Sequence, residues 1–476
     1  MVSNDPNKQA GLALLAELSD SEIAWLRTAG ERRLCDGGTV LVESGTRIET
    51  LYLVLSGVLS VSVGGAQGRE IARLGPGQII GEMSFLEDRP ASATVRALEE
   101  SEVLALPRAV VEAKLEEDMA FSAHLYRGLA VVASRRLRDA VGQIERWLGA
   151  EPVAEDATRA RWSEIARRTQ EFKSRLVEVS KLPPAELDAV DLAGPLCTYS
   201  AALDSAIGPD SPETVDTREE LGARVQRELL PYFLKACTPA QLFEKPRGYP
   251  GDFHAMEMIH SNKPDGKAPL GPSFDKAFLA LPAMNAFRAS RRLLQNELRQ
   301  AAESSTGGPV QITAVGAAPA AELFGMVAVK GTGVNATLIE FDPDALHWLQ
   351  TNRSGTRIRF ELESLVNLAL GQEHVQVEGQ DFAYTLLISS FSDRFAVGLL
   401  NYLHGLLKPG GRVCVASLHP RNPDKTLLTH VLGWNIVHRD ENAMNTLFER
   451  SAFRRAGEKF TFDEQGLFYL ATCQKS

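Results

Sequence analysis

The spacing of apolar residues changes twice along this 476-residue chain, and this constrains the fold more than any other feature. Residues 11 to about 105 hold short stretches, such as TLYLVLSGVLSVSV, that alternate apolar and polar residues between glycines and prolines. This spacing is typical of an antiparallel barrel or jelly roll. From Pro107 apolar residues recur at intervals of three and four, which predicts long helices, and residues 150 to about 300 are mostly helical. From Ser304 short apolar strands such as VQITAVG alternate with helical stretches, which favours a parallel sheet covered on both faces.

We therefore predict a multidomain protein with three parts. Residues 11–147 form an N-terminal β jelly roll with long helices, residues 155–300 form a helical linker or cap region, and residues 301–476 form a C-terminal α/β Rossmann-like, mostly parallel sheet. The last stretch, EKFTFDEQGLFYLATCQ, is expected to close this sheet as an antiparallel edge hairpin. The apolar stripe that follows Pro107 fits either a domain core or a dimer seam, and we expect a homodimer.

Charge and cysteine content exclude several function classes. The chain has 51 basic and 61 acidic side chains and a net charge of −10, so we expect no nucleic-acid partner. Its five cysteines are scattered without disulfide or metal-ligand spacing, which predicts a reducing compartment and no metal site. No apolar run reaches the roughly 18 residues of a membrane span, and the N-terminus lacks a basic-then-apolar signal. We expect a cytoplasmic protein with no integral membrane segment.

The densest motif of the first part reads GPGQIIGEMSFL from Gly75, followed by RPASATV from Arg89. It resembles the phosphate-binding cassette of cyclic-nucleotide-binding domains, and the resemblance covers residues 11–147. The resemblance implies that backbone N–H groups of a short helix face an anion, that Glu82 accepts from ribose hydroxyls and that Ser92 donates to a phosphate oxygen. The implied pocket residues are Gly81, Glu82, Arg89, Ser92 and Thr94.

One departure from that family bears on ligand affinity. Ala91 stands where the family has an arginine that pairs with the cyclic phosphate. Because such a charge-assisted bidentate pair is among the strong hydrogen-bonded contacts, its loss predicts weak binding of cyclic AMP or cyclic GMP, unless Arg89 reaches in. The alternative is a fold kept for dimer contacts or packing. Residues 150–200 combine no helix-turn-helix pattern with a basic face, which disfavours a DNA-binding regulator.

Three motifs of the third part point to one cofactor. ITAVGAAPAAEL, from Ile312, reads as a strand, a turn of small residues and a helix, where a ligand can lie against the backbone. The next strand ends in Glu340, an acid suited to a ribose diol. LLKPGGRVCV, from Leu406, resembles the turn and strand of class I S-adenosylmethionine-dependent methyltransferases. The implied cofactor is S-adenosyl-L-methionine, and its predicted contacts are Gly316, Ala318, Pro319, Glu322, Glu340, Phe341, Ser364 and Ser389.

The first of these turns departs from the usual pattern. Ala318 replaces the usual second glycine, and no acid stands at Ala314. Pro319 and Glu322 resemble a GCGPAxE variant of the turn that also lacks the upstream acid.

Two further motifs narrow the resemblance. KPRGYPGDF, from Lys245, and LHPRNP, from Leu418, resemble bacterial methyltransferases of the 3-hydroxypalmitic acid methyl ester (extracellular factor) biosynthesis type, some of which carry an N-terminal cyclic-nucleotide-binding-like domain. The likeness runs from about residue 195 to the end and implies methyl transfer to a carboxylate. Residues 390–395 depart from the related pattern and residues 371–383 look inserted, so the acceptor stays open.

The type of acceptor decides which side chains are needed. A carboxylate is ionised at neutral pH and needs only positioning groups, whereas a hydroxyl needs a general base. For a carboxylate we predict positioning by Arg247, Tyr249, His419 and Arg439, with Asp252 orienting one of them. For a hydroxyl the predicted base is His419 or Asp393. Alternatively, Arg247 and Asp252 form a structural ion pair, and His419 belongs to a rigid loop.

The leading hypothesis is a class I methyltransferase that O-methylates a carboxylate or hydroxyl on a small or fatty-acid-like acceptor. Its N-terminal domain is then regulatory or dimerising. The rival hypothesis is a catalytically silent ligand sensor or scaffold in which both sites have decayed, and Ala91 and Ala318 are the residues that favour it.

Overall fold

The computed structural model describes residues 13–64, 68–87, 89–148, 156–187, 190–249, 251–303, 308–328, 333–353, 358–370, 374–375, 377 and 379–476. Within these ranges the chain forms an N-terminal β-sandwich, a helical middle region and a C-terminal mixed sheet flanked by helices. No helix in the described ranges is long and apolar enough to cross a membrane.

The N-terminal region is a sandwich of two four-stranded antiparallel sheets, with strand orders β1-β8-β3-β6 and β2-β7-β4-β5. Val54, Leu59 and Val103 are fully or almost fully buried between the sheets. The strands are β1 (Glu31–Cys35), β2 (Val40–Val42), β3 (Thr50–Ser56), β4 (Leu59–Val63), β5 (Arg69–Leu74), β6 (Ile79–Ile80), β7 (Thr94–Ala97) and β8 (Ser101–Pro107).

Helices precede, interrupt and follow this sandwich. They are α1 (Ala13–Glu17), α2 (Asp20–Ala29), α3 (Glu82–Glu87), α4 (Arg108–Glu117) and the 30-residue α5 (Met119–Leu148). A capping box starts α2: Ser19 Oγ accepts from the N–H of Glu22, and the Glu22 carboxylate accepts from the N–H of Ser19.

The middle region is helical, and its helices share buried clusters with the C-terminal part. Its helices pack around the helix Lys425–Leu432 of the C-terminal part, and Phe233, Phe274 and Trp434 share one buried cluster. The helices are α6 (Asp156–Val179), α7 (Pro184–Leu187), α8 (Ala193–Ile207), α9 (Val215–Phe233), α10 (Cys237–Glu244), α11 (Phe253–Ser261), α12 (Leu270–Leu279) and α13 (Pro282–Glu303). The last of these, α13, buries Leu294 and Leu298 against the sheet.

The C-terminal sheet has seven strands in the order β11-β10-β9-β12-β13-β15-β14. The first five are parallel, and β15 runs antiparallel to both β13 and β14. The predicted antiparallel hairpin therefore closes the edge. The strands are β9 (Val310–Val315), β10 (Val334–Glu340), β11 (Ile358–Leu362), β12 (Gln380–Thr385), β13 (Leu407–Leu418), β14 (Lys459–Phe462) and β15 (Phe468–Gln474).

Helices connect these strands on both faces. They are α14 (Ala321–Ala328), α15 (Pro343–Asn352), α16 (Leu365–Leu370), α17 (Asp393–Leu406), α18 (Lys425–Leu432) and α19 (Glu441–Arg450). The apolar stretch YTLLISS, from Tyr384, is only partly a strand: β12 ends at Thr385, and Ile388–Ser390 form a 3-10 turn beyond it.

The N-terminal region docks on the C-terminal helices through a continuous apolar core. Leu14 and Leu15 of α1 lie in the same buried cluster as Phe395 and Leu399 of α17. Arg394 of α17 adds an ion pair to Asp20 at 2.6 Å. The two regions that the sequence separates by about 150 residues therefore share one core.

Candidate functional site

The strand order reverses between β9 and β12, because the chain continues from β9 to β10 on one side while β12 lies on the other. Val315 is paired with both Ile339 and Thr385, so the carboxyl ends of these three strands lie at one level. In open α/β sheets, ligands bind outside the carboxyl ends of the strands at this kind of switch point. The candidate crevice lies there, where Gly316, Glu340 and Leu387 follow or end the strands.

The turn after β9 brings backbone to the floor of the crevice. Gly316 has φ +55°, and its N–H donates to the Ile339 carbonyl at 2.8 Å. A Cβ on Gly316 would lie 2.2 Å from Leu387 Cδ1 and 2.6 Å from Phe341 Cε1, so these two side chains already cover it. Ala318, two residues further along the turn, is partly exposed.

Glu340, predicted to meet a ribose, is a buried carboxyl with few partners. It is 2% exposed, and it accepts from the N–H groups of Ala318 at 3.3 Å and Phe341 at 3.0 Å. Burial raises the pKa of Glu340 to about 7, and neighbouring Asp342 adds to the increase while the backbone N–H groups oppose it. Near neutral pH this carboxyl is therefore about half protonated.

Arg247 lies beside the crevice, but its guanidinium is already engaged. All five of its N–H donors reach carboxylates: Asp342 at 2.9 and 2.6 Å, Glu99 at 2.7 and 2.7 Å, and Asp344 at 2.6 Å. Burial lowers the pKa of Arg247, but the hydrogen bonds and charges of Glu99 and Asp342 outweigh it and raise the pKa. Arg247 therefore does not form the alternative ion pair with Asp252.

Tyr249 follows two residues later and leans over the same strand end. Its hydroxyl donates to Asp342 at 2.8 Å, and its ring centroid lies 6.0 Å from that of Phe341. Burial, together with the negative charges of Asp342 and Glu340, raises the pKa of Tyr249, so it remains a neutral donor. Tyr249 is therefore a predicted acceptor-side residue that lies within electrostatic reach of Glu340.

The other predicted cofactor residues lie in different environments. Glu322 is buried in the first turn of α14, with Tyr384 Oη at 3.5 Å and Arg291 Nε at 3.8 Å, and burial raises its pKa. Ser389 shares a hydrogen bond with Ser417 at 3.1 Å. Pro319 is buried in the turn between β9 and α14.

Ser364 contacts the N-terminal region. Its hydroxyl donates to the Leu55 carbonyl of β3 and accepts from the N–H of Val366 in the first turn of α16. Neighbouring Glu363, which sequence reasoning passed over, is buried and accepts from the backbone of Ser364 at 2.8 Å and Val375 at 3.0 Å.

Asp252, Asp393 and Arg439 hold backbone segments in place. Asp252 caps α11 through the N–H of Ala255 at 2.8 Å and accepts from Gln241 at 2.9 Å. Arg439 is 2% exposed and donates to Asp393 at 2.9 Å. The Arg439 guanidinium also donates to the Ile388 carbonyl at 2.8 Å and the Phe391 carbonyl at 2.6 Å, which fixes the loop after β12.

His419 is buried in the loop after β13. Its Nδ1 accepts from the N–H of Arg421 at 3.1 Å, which assigns the ring proton to Nε2, 3.4 Å from Glu441 Oε2. Both ring nitrogens therefore face groups of the protein, and a base role for His419 requires one of them to be released.

The N-terminal pocket centres on Glu82. Gly81 has φ +93° and Glu82, 2% exposed, opens α3. Sequence reasoning missed Arg136 of α5: its Nη1 pairs with the Glu82 carboxylate, and its Nη2 donates to the Ile79 carbonyl at 2.6 Å. The C-terminal helix of the domain thus supplies a guanidinium next to the predicted ribose acceptor.

The other cassette residues are arranged around this pair. Thr94 is buried and accepts from the N–H of Ser44 at 3.1 Å, while Ser92 is exposed. Arg89 is 78% exposed and lies 3.8 Å from Glu87, so it does not take over the position of the missing arginine at Ala91.

Comparison with known proteins identifies the N-terminal region. Residues 32–118 match the model of the cyclic nucleotide-binding domain family. The chain is 36% identical over 133 residues to the cyclic AMP receptor protein of Thermus thermophilus, which is 27% of this chain and 59% of that protein. The N-terminal β-sandwich is thus a cyclic nucleotide-binding domain.

Two further relatives also match only part of this chain. Glutaminase 2 of Bradyrhizobium diazoefficiens is 33% identical over 135 residues, 28% of this chain and 21% of that protein. The crystal structure of the Thermus thermophilus catabolite activator protein is 28% identical with a TM-score of 0.26, and the match covers 36% of this chain and 73% of that one. The chain thus spans 59% and 21% of the two curated relatives.

Proposed function

We propose that this chain is a class I S-adenosylmethionine-dependent methyltransferase under the control of its cyclic nucleotide-binding domain. The observation that carries the proposal is a buried acid, Glu340, at the end of the strand beside a glycine turn, at the switch point of the sheet.

The sheet itself supports this assignment. Five parallel strands flanked by helices agree with the Rossmann-like sheet that the resemblance implies, and an antiparallel hairpin closes its edge. The motifs after β9 and at the end of β10 fall at adjacent carboxyl ends, so one nucleoside can span them.

The residues at the crevice fit a sulfonium nucleoside. Ala318 is small and partly exposed. The carboxylate of Glu340 accepts hydrogen bonds from the backbone N–H groups of Ala318 and Phe341, and its remaining lone pairs can accept from a ribose diol. Phe341 and Leu387 provide apolar walls that exclude water. When bound, S-adenosylmethionine supplies an electrophilic methyl carbon for an in-line displacement, and the protein aligns the acceptor with it.

The side chains favour a carboxylate acceptor over a hydroxyl. A hydroxyl must lose a proton, but both nitrogens of His419 face protein groups and Asp393 is paired with Arg439. A carboxylate oxygen attacks without a base, and a methyl ester and S-adenosylhomocysteine result as the carbon–sulfur bond breaks. The donors of Arg247 are engaged, and the hydroxyl of Tyr249 donates to Asp342, so we place Tyr249 beside the acceptor as a group whose hydroxyl turns from Asp342 to the acceptor.

Calorimetry of the full chain with S-adenosylhomocysteine tests the cofactor assignment. We expect saturable micromolar binding that Glu340→Gln weakens about tenfold or more, because the amide accepts fewer hydrogen bonds than the carboxylate. Glu361→Gln is the matched control, since Glu361 lies on the adjacent strand but pairs with surface Arg359. Absence of binding by the folded wild-type chain would leave the silent scaffold as the better account.

Transfer of a labelled methyl group tests the acceptor class. The chain is incubated with methyl-labelled S-adenosylmethionine and a series of long-chain carboxylic acids and hydroxy acids. We expect label that alkali releases as volatile methanol, which identifies a methyl ester. Label that resists alkali identifies an ether and would refute the carboxylate assignment.

A further inference from the structure

The segment 245–249 lies between the cyclic nucleotide-binding domain and the C-terminal crevice, and we call it the Arg247 segment. On the N-terminal side its backbone touches the loop before β6: a Cβ on Gly248, which has φ +79°, would lie 2.5 Å from the nitrogen of Gly75. A Cβ on Gly75 would lie 2.7 Å from the Arg247 carbonyl oxygen. Two glycines thus allow the two backbones to pack directly on each other.

A single guanidinium joins the two regions electrostatically. Glu99, in the turn between β7 and β8, accepts two hydrogen bonds of 2.7 Å from the Nη atoms of Arg247. The Arg247 guanidinium also binds Asp342 and Asp344, which follow Glu340 at the start of α15. Arg247 is 8% exposed, so these charge-assisted bonds are sheltered from solvent.

We propose that Glu99 is a positioning residue of the crevice: by pairing with Arg247, the cyclic nucleotide-binding domain holds the Arg247 segment, including Tyr249, over Glu340 and Asp342. This inference rests on the proposed function, because it assigns a second region of the chain to the same cofactor site. Two of the five guanidinium N–H donors depend on Glu99. Without them, the glycine packing and the Arg73 contact to Pro246, at 3.4 Å, still touch the segment on its N-terminal side, but they do not hold the Arg247 guanidinium.

Release of the segment changes the surroundings of Glu340. The titratable groups near Glu340 include Asp342 on its own loop and Tyr249 on the segment, and Arg247 binds Asp342. Burial is the largest cause of the raised pKa of Glu340. When Tyr249 and Arg247 move away and water reaches the carboxyl, the pKa therefore falls from about 7 towards its ordinary value, although Asp342 loses hydrogen bonds from Arg247. A ligand in the N-terminal pocket that displaces the turn holding Glu99 therefore alters cofactor affinity, and by linkage the cofactor alters the affinity for that ligand.

The experiment measures binding of S-adenosylhomocysteine to the full chain between pH 5 and pH 8.5 for Glu99→Gln and Glu99→Ala. We expect the affinity above pH 8 to fall about tenfold and the midpoint of the pH dependence to move at least one unit to the acid side. Asp20→Asn is the control, because it removes another ion pair between the same two regions, that with Arg394, outside the crevice.

An unchanged midpoint in both Glu99 variants would overturn the proposal, and so would an equal displacement in Asp20→Asn.

If the wild-type chain itself does not bind S-adenosylhomocysteine, the proposed function fails, and a ligand-free measurement decides the positioning role. The melting temperatures of the wild type and of Glu99→Ala are then compared with and without Glu340→Gln over the same pH range. We expect the effect of Glu340→Gln to vary between pH 5 and pH 7 in the wild-type background and to be nearly constant there with Glu99→Ala. Equal variation in both backgrounds would refute the positioning role.

Discussion

Protonation of Glu340 is the property from which the sharpest prediction follows. Burial raises its pKa from 4.5 to about 7, a difference that corresponds to about 3 kcal/mol between the two protonation states. A ribose diol donates hydrogen bonds to the carboxylate form, so S-adenosylhomocysteine should bind the ionised crevice. The ionised fraction is about one in eleven at pH 6 and about ten in eleven at pH 8. We therefore expect affinity to rise about tenfold between these values and to be flat above pH 8.

Calorimetry in buffers of different ionisation enthalpy gives a second measure of the same effect. At pH 7 the wild-type chain should release about half a proton as the ligand binds, because the half-protonated carboxyl becomes ionised. Glu340→Gln should abolish both the proton release and the pH dependence. If the wild-type affinity is the same at pH 6 and pH 8, or if Glu340→Gln keeps the tenfold change, the reasoning about this carboxyl is wrong.

The raised pKa of Glu340 also affects stability. The free energy of unfolding should decrease with rising pH, whereas the affinity for the ligand should increase. Between pH 4.5 and pH 7 the folded state holds more protons at Glu340 than the unfolded state does, so the free energy of unfolding falls as the pH rises through this window. The contribution of Glu340 to the free energy of unfolding is fully present below pH 4.5 and is lost above pH 7. Because other buried carboxyls titrate too, the relevant quantity is the difference between wild type and Glu340→Gln.

Three other substitutions test other parts of the molecule. Ala91→Arg should restore a phosphate partner in the N-terminal pocket, so millimolar cyclic AMP or cyclic GMP should raise the melting temperature of this variant more than that of the wild type; equal shifts would contradict this. Gly248→Ala should lower the free energy of unfolding by more than about 1 kcal/mol in denaturant titration, because its Cβ meets the Gly75 backbone at a positive φ; an unchanged midpoint would contradict the packing. Arg439→Ala should cost about 3–5 kcal/mol, since Asp393 and two carbonyl groups lose their donor, whereas loss of the exposed Arg394–Asp20 pair should cost under about 1 kcal/mol; similar losses would refute this.

The sequence predicted those parts of the fold whose pattern is local. The strands at Val310–Val315 and Val334–Glu340, the helix Pro343–Asn352 and the final hairpin follow from periodicity and turn residues alone. The cassette around Gly81 was recognisable because its residues are contiguous, and the match to residues 32–118 confirms that domain.

The sequence did not predict which distant groups meet. Arg247 was a candidate for acceptor binding, yet its partners lie 148 and 95 residues away, at Glu99 and Asp342. Arg136 reaches Glu82 from a helix that the sequence characterises only by its apolar stripe. A guanidinium has the same local signature whether it binds a ligand or a carboxylate of the protein, so only the tertiary fold separates the two.

The apolar core that joins α1 to α17 makes the two ends of the molecule interdependent. Leu14 and Leu15 complete a cluster that also holds Phe395 and Leu399, so neither half has a finished surface on its own. A fragment that contains only one of these two regions would expose its apolar surface to solvent and to other fragments. We therefore expect the N-terminal and C-terminal regions to unfold in one transition, and a C-terminal sheet produced without α1 to expose the apolar face of α17.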